Sequence, residues 1–187
     1  MSVVKINRKV DLKDAKEQVE KATRRIALLH LSYAKTIIEE LGPEKGERLI
    51  LKAIKNYGKR VGSSVKEEVN KKGLENIPEN YREDLPVYGM NERAEKTNVN
   101  GKKGHRSYGC VLANLWQELG EEEIGRLYCY VDPAKYMAYN PDYALVHTKC
   151  IPDGDEFCEF VIRETTEQEK KDFTDDNEDW TYIDTDR

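Results

Sequence analysis

The residue types that could do chemistry are few and they cluster. The chain has four cysteines, Cys110, Cys129, Cys150 and Cys158, and three histidines, His30, His105 and His147. All four cysteines fall within 49 consecutive positions. His147 and Cys150 are three apart, and the turn Pro152-Asp153-Gly154-Asp155 brings the chain back to Cys158. Cys129 comes from a helical stretch just upstream. A Cys129/His147/Cys150/Cys158 set matches the N/S donors that zinc takes in tetrahedral sites. The spacing carries an objection: in a regular strand residues 147 and 150 point to opposite faces, so a metal site demands a bulge or a bend. Two alternatives stay open. The cysteines can be small buried apolar residues, or catalytic thiols.

A second constellation is Cys110, Cys129 and Asp132. Cys110 opens a predicted helix in SYGCVLANLW. Unpaired N–H groups at a helix start favour a thiolate, so Cys110 is the candidate nucleophile. Asp132 precedes Pro133 and reads either as the N-cap of the next helix or as a group that orients or deprotonates water. Asn140 is a candidate substrate donor, and Lys149 and Arg126 are candidates for holding a substrate carboxylate. His30 lies in the apolar run LLHLSY and reads as a helix-surface or packed histidine; His105, in a basic, glycine-flanked loop, has no assignable role.

The elements that must position these groups are legible in outline. Between Asp11 and Leu41, apolar residues at Leu12, Ala15, Val19, Ala22, Ile26, Leu29, Tyr33, Ile37 and Leu41 recur in steps of three and four, which predicts one long amphipathic helix with that stripe buried. Asp11 is its predicted N-cap, Gly42 its stop, and Pro43 suits the first turn of a second helix. That helix is expected to bury Ile50, Ile54, Tyr57, Val61 and Val65, with Gly58 and Gly62 permitting close approach of another element. Residues 74–109 are weakly periodic; Asn100-Gly101 allows a hairpin with arms near 88–98 and 103–109, or an irregular loop. YALVHTKCI and EFCEFVIRE read as a second, antiparallel hairpin, with Cys158, Phe160 and Ile162 on one face. Helices first and strands late predict an α+β fold: an N-terminal helical hairpin packed on a small antiparallel sheet, with further helices in the C-terminal half.

Composition sets the outer limits. The chain has 187 residues, 38% hydrophobic and 36% charged, with a net charge of −5. That is one modest core's worth of apolar material, and no window suits a membrane span. The mild charge hides an asymmetry: residues 1–75 carry +7, residues 76–163 carry −5 and residues 164–187 carry −7. The organisation expected is one α+β unit over 1–163, divided at residue 75 into hairpin and site-bearing region, followed by an acidic tail. The tail reads first as solvated, but Trp180, Tyr182 and Ile183 would let it dock on the basic first half. The start, MSVVKINRKVDLKDAK, has no apolar leader segment. A cytoplasmic location and reduced thiols are the expectation.

The stretch from about 109 to 162 resembles the L-2-amino-thiazoline-4-carboxylic acid hydrolase family. The matching residues are Cys110, Leu115-Trp116, Gly120, Gly125, Tyr128-Cys129, Asp132, Asn140-Pro141, Thr148-Lys149, Gly154-Asp155 and Cys158-x-Phe160. His147 stands where the family usually has an arginine, and Cys150 where it has no cysteine. The resemblance implies hydrolysis of a cyclic amidine-like C–N bond, and Cys110 as nucleophile with Asp132 as base would fit that scheme. The ending also resembles, more distantly, the small-molecule-binding domains related to four-vinyl protochlorophyllide reductase, some of which hold zinc through cysteines at similar spacing.

Three readings follow. One is a small-molecule hydrolase with no cofactor. Another is a non-catalytic ligand-binding domain with structural zinc, and the last is an interaction protein using the helical hairpin and the tail. The partners expected are a small-molecule substrate or ligand, with neither nucleic acid nor membrane; a homo-oligomer is compatible with the sequence.

Overall fold

The computed structural model describes residues 9–81, 85–86, 88–176 and 178–186. Residues 1–8 of the start, where the sequence shows no apolar leader, lie outside them. Two long helices come first, α1 (Leu12–Leu41) and α2 (Pro43–Lys71). The side chain of Asp11 accepts the Lys13 N–H and caps α1, and Gly42 joins the pair at φ +78°, a conformation that favours glycine. A hairpin follows, β1 (Arg93–Val99) and β2 (Lys102–Tyr108), turning through Asn100 and Gly101, both with positive φ. Two positive values in succession make a tight turn that matches strand twist.

Three short helices then run in succession: α3 (Val111–Leu119), α4 (Glu122–Cys129) and α5 (Val131–Tyr139). The second hairpin, β3 (Tyr143–Lys149) and β4 (Cys158–Glu164), completes one antiparallel sheet in the order β1-β2-β4-β3. This is the α+β architecture expected. A last helix, α6 (Glu167–Thr174), starts at a capping box in which Thr166 and Glu169 satisfy each other's backbone N–H groups.

The packing of α1 departs from expectation. The face turned inward carries Thr23, Ala27, Leu31 and Ala34, one position round from the apolar stripe read in the sequence. Ile26, Leu29 and Tyr33 are 46%, 56% and 65% exposed. Small side chains explain the choice: Ala27 and Ala34 let α1 lie against α3 and α2, where Trp116 donates to Ala27 O and Ile38 touches Gly46. In α2, Ile50, Ile54, Val65 and Val69 are buried, whereas Tyr57 is exposed and Val61 half-buried. Gly58 and Gly62 do admit another element, and it is α5. A Cβ on Gly62 would stand 2.0 Å from the Lys135 carbonyl oxygen, and one on Gly58 would stand 2.5 Å from Ala134 Cβ.

The segment after β4 lies against the rest of the chain. Phe173, Trp180 and Ile183 join Ala134, Met137, Ala144, Val146 and Val161 in one buried cluster. Basic α2 meets acidic residues here: Lys52, Lys55 and Lys59 stand 3.7–3.8 Å from Asp176. Lys55, nearly fully buried, also donates to Asp175 O and lies over the rings of Phe173 and Trp180.

Candidate functional site

Element ends deliver the candidate residues to one place. Cys110 is the N-cap of α3, Cys129 is the last residue of α4, Asp132 lies in the first turn of α5, and Cys158 begins β4. Asp132 is not the helix cap: α5 already starts at Val131, which leaves the carboxylate for side-chain contacts. The donor atoms of Cys129, His147 and Cys150 all lie within 4.8 Å of one another.

The geometric objection to that grouping is met by the backbone. His147 pairs with Phe160 across the sheet, but Lys149 pairs with Glu159, so Thr148 is an extra residue on β3. A bulge of this kind turns the residues beyond it. Cys150 then sits past the strand end, at the entrance to a 3₁₀ turn, its N–H held by Asp155 at 2.8 Å. Cys158 lies beside the trio instead of within it. Its sulfur accepts the Ile151 N–H at 3.4 Å and its thiol is hydrogen-bonded with Cys150.

His147 is clamped. Its Nδ1 lies 3.0 and 3.1 Å from the two carboxylate oxygens of Asp184, and its backbone N–H donates to the same carboxylate at 2.9 Å. Nε2 faces Asp132, 3.7 Å away. Burial is the largest single influence and lowers the imidazole pKa, but the charge and hydrogen bond of Asp184 together with the Asp132 charge outweigh it and raise the value. In Asp184 burial works upward, and the charges of His147 and Arg126 outweigh it, holding the carboxyl below its ordinary value. Arg126 ties the group together, donating from Nη2 to Asp184 at 2.8 Å and from Nε to Asp153. Its Nη1 is buried with no hydrogen-bond partner. Lys135, itself buried, pairs with Asp132 at 2.9 Å.

All four cysteines are free thiols. Burial raises Cys110 to about 11, although the Ala113 and Leu112 N–H groups pull the other way. The helix-start effect expected from sequence is present and loses to desolvation. A hydrogen bond with Cys129 raises Cys150, and one with Cys150 raises Cys158. In Cys129 the Cys150 hydrogen bond and the Arg126 charge act downward, burial and the neighbouring Cys110 and Asp132 act upward, and the net shift is up. The site is thus a packed group of neutral thiols, with Asp132 and half-buried Cys110 and Cys129 on its more open side. Two shallow depressions of about 630 and 580 Å³ lie elsewhere, on α2 and α6.

The remaining candidates sit apart. Asn140 ends α5, eight residues and roughly 12 Å from Asp132 along the helix, and its side chain is engaged by Asn76 O and the Asp142 N–H. Lys149 is exposed, its amine over the Phe157 ring. His30 packs against Trp116 and Tyr128 with Nε2 at 3.0 Å from Ile124 O, and His105 stacks on Phe160. Sequence reasoning missed Asp184. Its only signal was the pair of aromatic residues in an otherwise acidic segment.

Fold and cluster together define an α+β protein with a thiol–imidazole–carboxylate site at the meeting of three helix ends and a hairpin. A family model described as L-2-amino-thiazoline-4-carboxylic acid hydrolase matches residues 20–162, and the chain belongs to that family. The match takes in most of the helical hairpin, where no motif was legible, and ends within β4, before Asp184. No curated protein and no solved structure matches the chain significantly. Among the described residues no helix is long and apolar enough to cross a membrane.

Proposed function

We propose that this protein hydrolyses a cyclic, amidine-like C–N bond in a small molecule of the thiazoline-carboxylate type. The observation that carries the reading is the family match, which spans every one of Cys110, Cys129, Asp132, His147, Cys150 and Cys158. In such a reaction water adds to the ring carbon between nitrogen and sulfur. The ring C–N bond then breaks, the water oxygen becomes a carbonyl oxygen, and the ring nitrogen leaves as an amine after gaining protons. Asp132, on the open side, is the base for the water. His147 in its protonated form, which Asp184 favours, gives the proton on Nε2 to the departing nitrogen and returns to the neutral ring with Nδ1 protonated. The orphaned Arg126 Nη1 is the donor for a substrate carboxylate.

A second reading rests on the three donors within 4.8 Å. Tetrahedral zinc at about 2.0–2.3 Å needs ligand atoms roughly 3.3–3.8 Å apart, so a contraction of about 1 Å would close the trio on a metal. Neutral, buried thiols suit this: a soft cation replaces their protons and supplies the positive charge that burial has denied them. Three protein ligands would leave one position open, with Asp132 beside it. Zinc bound this way would supply a Lewis acid and a water of lowered pKa.

The decisive experiment is incubation of purified protein with L-2-amino-thiazoline-4-carboxylate, with product detected by mass spectrometry. Turnover is expected, together with its loss in Cys129→Ser and Asp132→Asn and retention of folded circular dichroism. An inactive wild type removes the substrate class; an active Asp132→Asn removes the assigned base. Cys110→Ser separates mechanisms, since a thiol nucleophile predicts loss of turnover and water attack predicts its retention. Elemental analysis of protein purified without chelator tests the metal: up to one zinc per chain, lost in Cys150→Ser, is the expected result.

A further inference from the structure

We infer that Asp184, contributed by the segment beyond the family match, is a positioning residue that fixes which nitrogen of His147 faces the site. The inference rests on the site assignment above but not on the identity of the substrate. Four observations converge. Asp184 is 6% exposed, and it makes contact with His147 three times, through the backbone N–H and through Nδ1 to each carboxylate oxygen. Arg126 holds the carboxylate from the other side at 2.8 Å. The segment that carries it is anchored by Trp180 and Ile183 in the core and by Arg163, whose guanidinium donates to the carbonyl oxygens of Ile183 and Thr185. Finally, β3 is an edge strand, and the Asp184 carboxylate takes up the outward N–H of His147 that would otherwise lie unpaired.

The chemical consequence follows from the imidazole. A carboxylate accepts and cannot donate, so the Nδ1 that meets Asp184 must carry the proton. In the neutral ring that leaves Nε2 with its lone pair, directed to Asp132 and the thiols. A histidine whose second nitrogen is held by a carboxylate is oriented and made more basic as a ligand or base. The tail therefore completes a site whose other residues lie in the family-matched region.

The test is ¹⁵N imidazole NMR on the full-length protein as purified, with Asp184→Ala and Asp184→Asn alongside. The wild type is expected to show a proton on Nδ1 of His147 that exchanges slowly with water. Asp184→Ala is expected to lose that signal and to lower kcat at least tenfold with KM within threefold. Asp184→Asn, whose amide oxygen still accepts, is expected to restore the Nδ1 proton. A wild type protonated on Nε2 alone overturns the inference, as does Asp184→Ala with the Nδ1 proton intact. If Asp184→Ala does not fold, the wild-type spectrum decides. Should the wild type lack turnover of the thiazoline carboxylate, the NMR result still stands, so failure of the substrate assignment and failure of this inference are distinguishable.

Discussion

The helical hairpin and the C-terminal segment are opposites. Residues 12–71 form two regular helices whose caps, lengths and junction follow from their sequence, yet none of the site's reactive groups comes from them. Residues 164–186 are acidic and weakly periodic, with a short α-helix and a 3₁₀ turn among the described residues, yet they supply the carboxylate that clamps His147. Regular amphipathic pattern signals an element that can fold against almost any apolar surface. A site needs a particular charge at a particular point, and a single well-anchored aspartate is enough to provide it. The contribution of a segment to chemistry is set by what it buries, and pattern strength is a poor guide to it.

Mutation and pH act on the two regions separately. The largest effect is expected from Trp180→Ala. This side chain is 4% exposed and packs on Phe173 and Tyr130, so its loss should cost about 3–5 kcal/mol, read as a lower urea midpoint. It should also release the segment and with it the hold on His147. Retention of wild-type stability would show that the segment is peripheral after all.

A smaller effect is expected from pH. Asp184 is held below its ordinary carboxylate value, so its contribution is present at pH above that ordinary value, near 4, and is lost as pH falls through the depressed folded value. His147 is raised, so its contribution is complete below about 6.5 and declines as pH rises through the elevated value. Segment docking, followed by Trp180 fluorescence, should therefore be strongest in mildly acidic solution, between the two transitions. In Asp184→Asn the low-pH loss should shrink. An unchanged acid profile in that variant would assign the loss to other carboxylates.

The smallest effect belongs to the other region. Leu29→Gln on α1 replaces a side chain that is 56% exposed, and should change stability by less than about 0.5 kcal/mol. A large loss would mean that the solvent-facing stripe of α1 is covered in solution, and sedimentation would then show whether a second copy covers it.

These same regions mark where sequence reading succeeds and stops. The ends of α1 were legible because Asp11 and Gly42 have local physical roles that need no partner. The buried face of α1 was not. Two stripes one position apart both read as apolar, and only the partner surfaces of Trp116 and Gly46 decide in favour of Ala27 and Ala34. The convergence of Cys129, His147 and Cys150 was legible as a requirement: the spacing demanded a bulge, and Thr148 provides it. The neutral state of Cys110 was not, since the desolvation that defeats its helix-start position depends on everything packed around it. Asp184 lay beyond reach for the same reason, because nothing in its neighbouring residues tells which of ten acidic side chains in that segment meets His147.

The extra residue at Thr148 has a consequence for how such a site can change over generations. The sheet register on the Tyr143 side of it is fixed by ladder pairing, and the turn on the other side is fixed by Cys150 and Asp155. Gaining or losing one residue between them alters the direction of the cysteine relative to His147 while the ladder on the Tyr143 side keeps its register. Length at this point is therefore a dial, and a single-codon deletion could remove Cys150 from the cluster while every reactive residue type in the chain is retained.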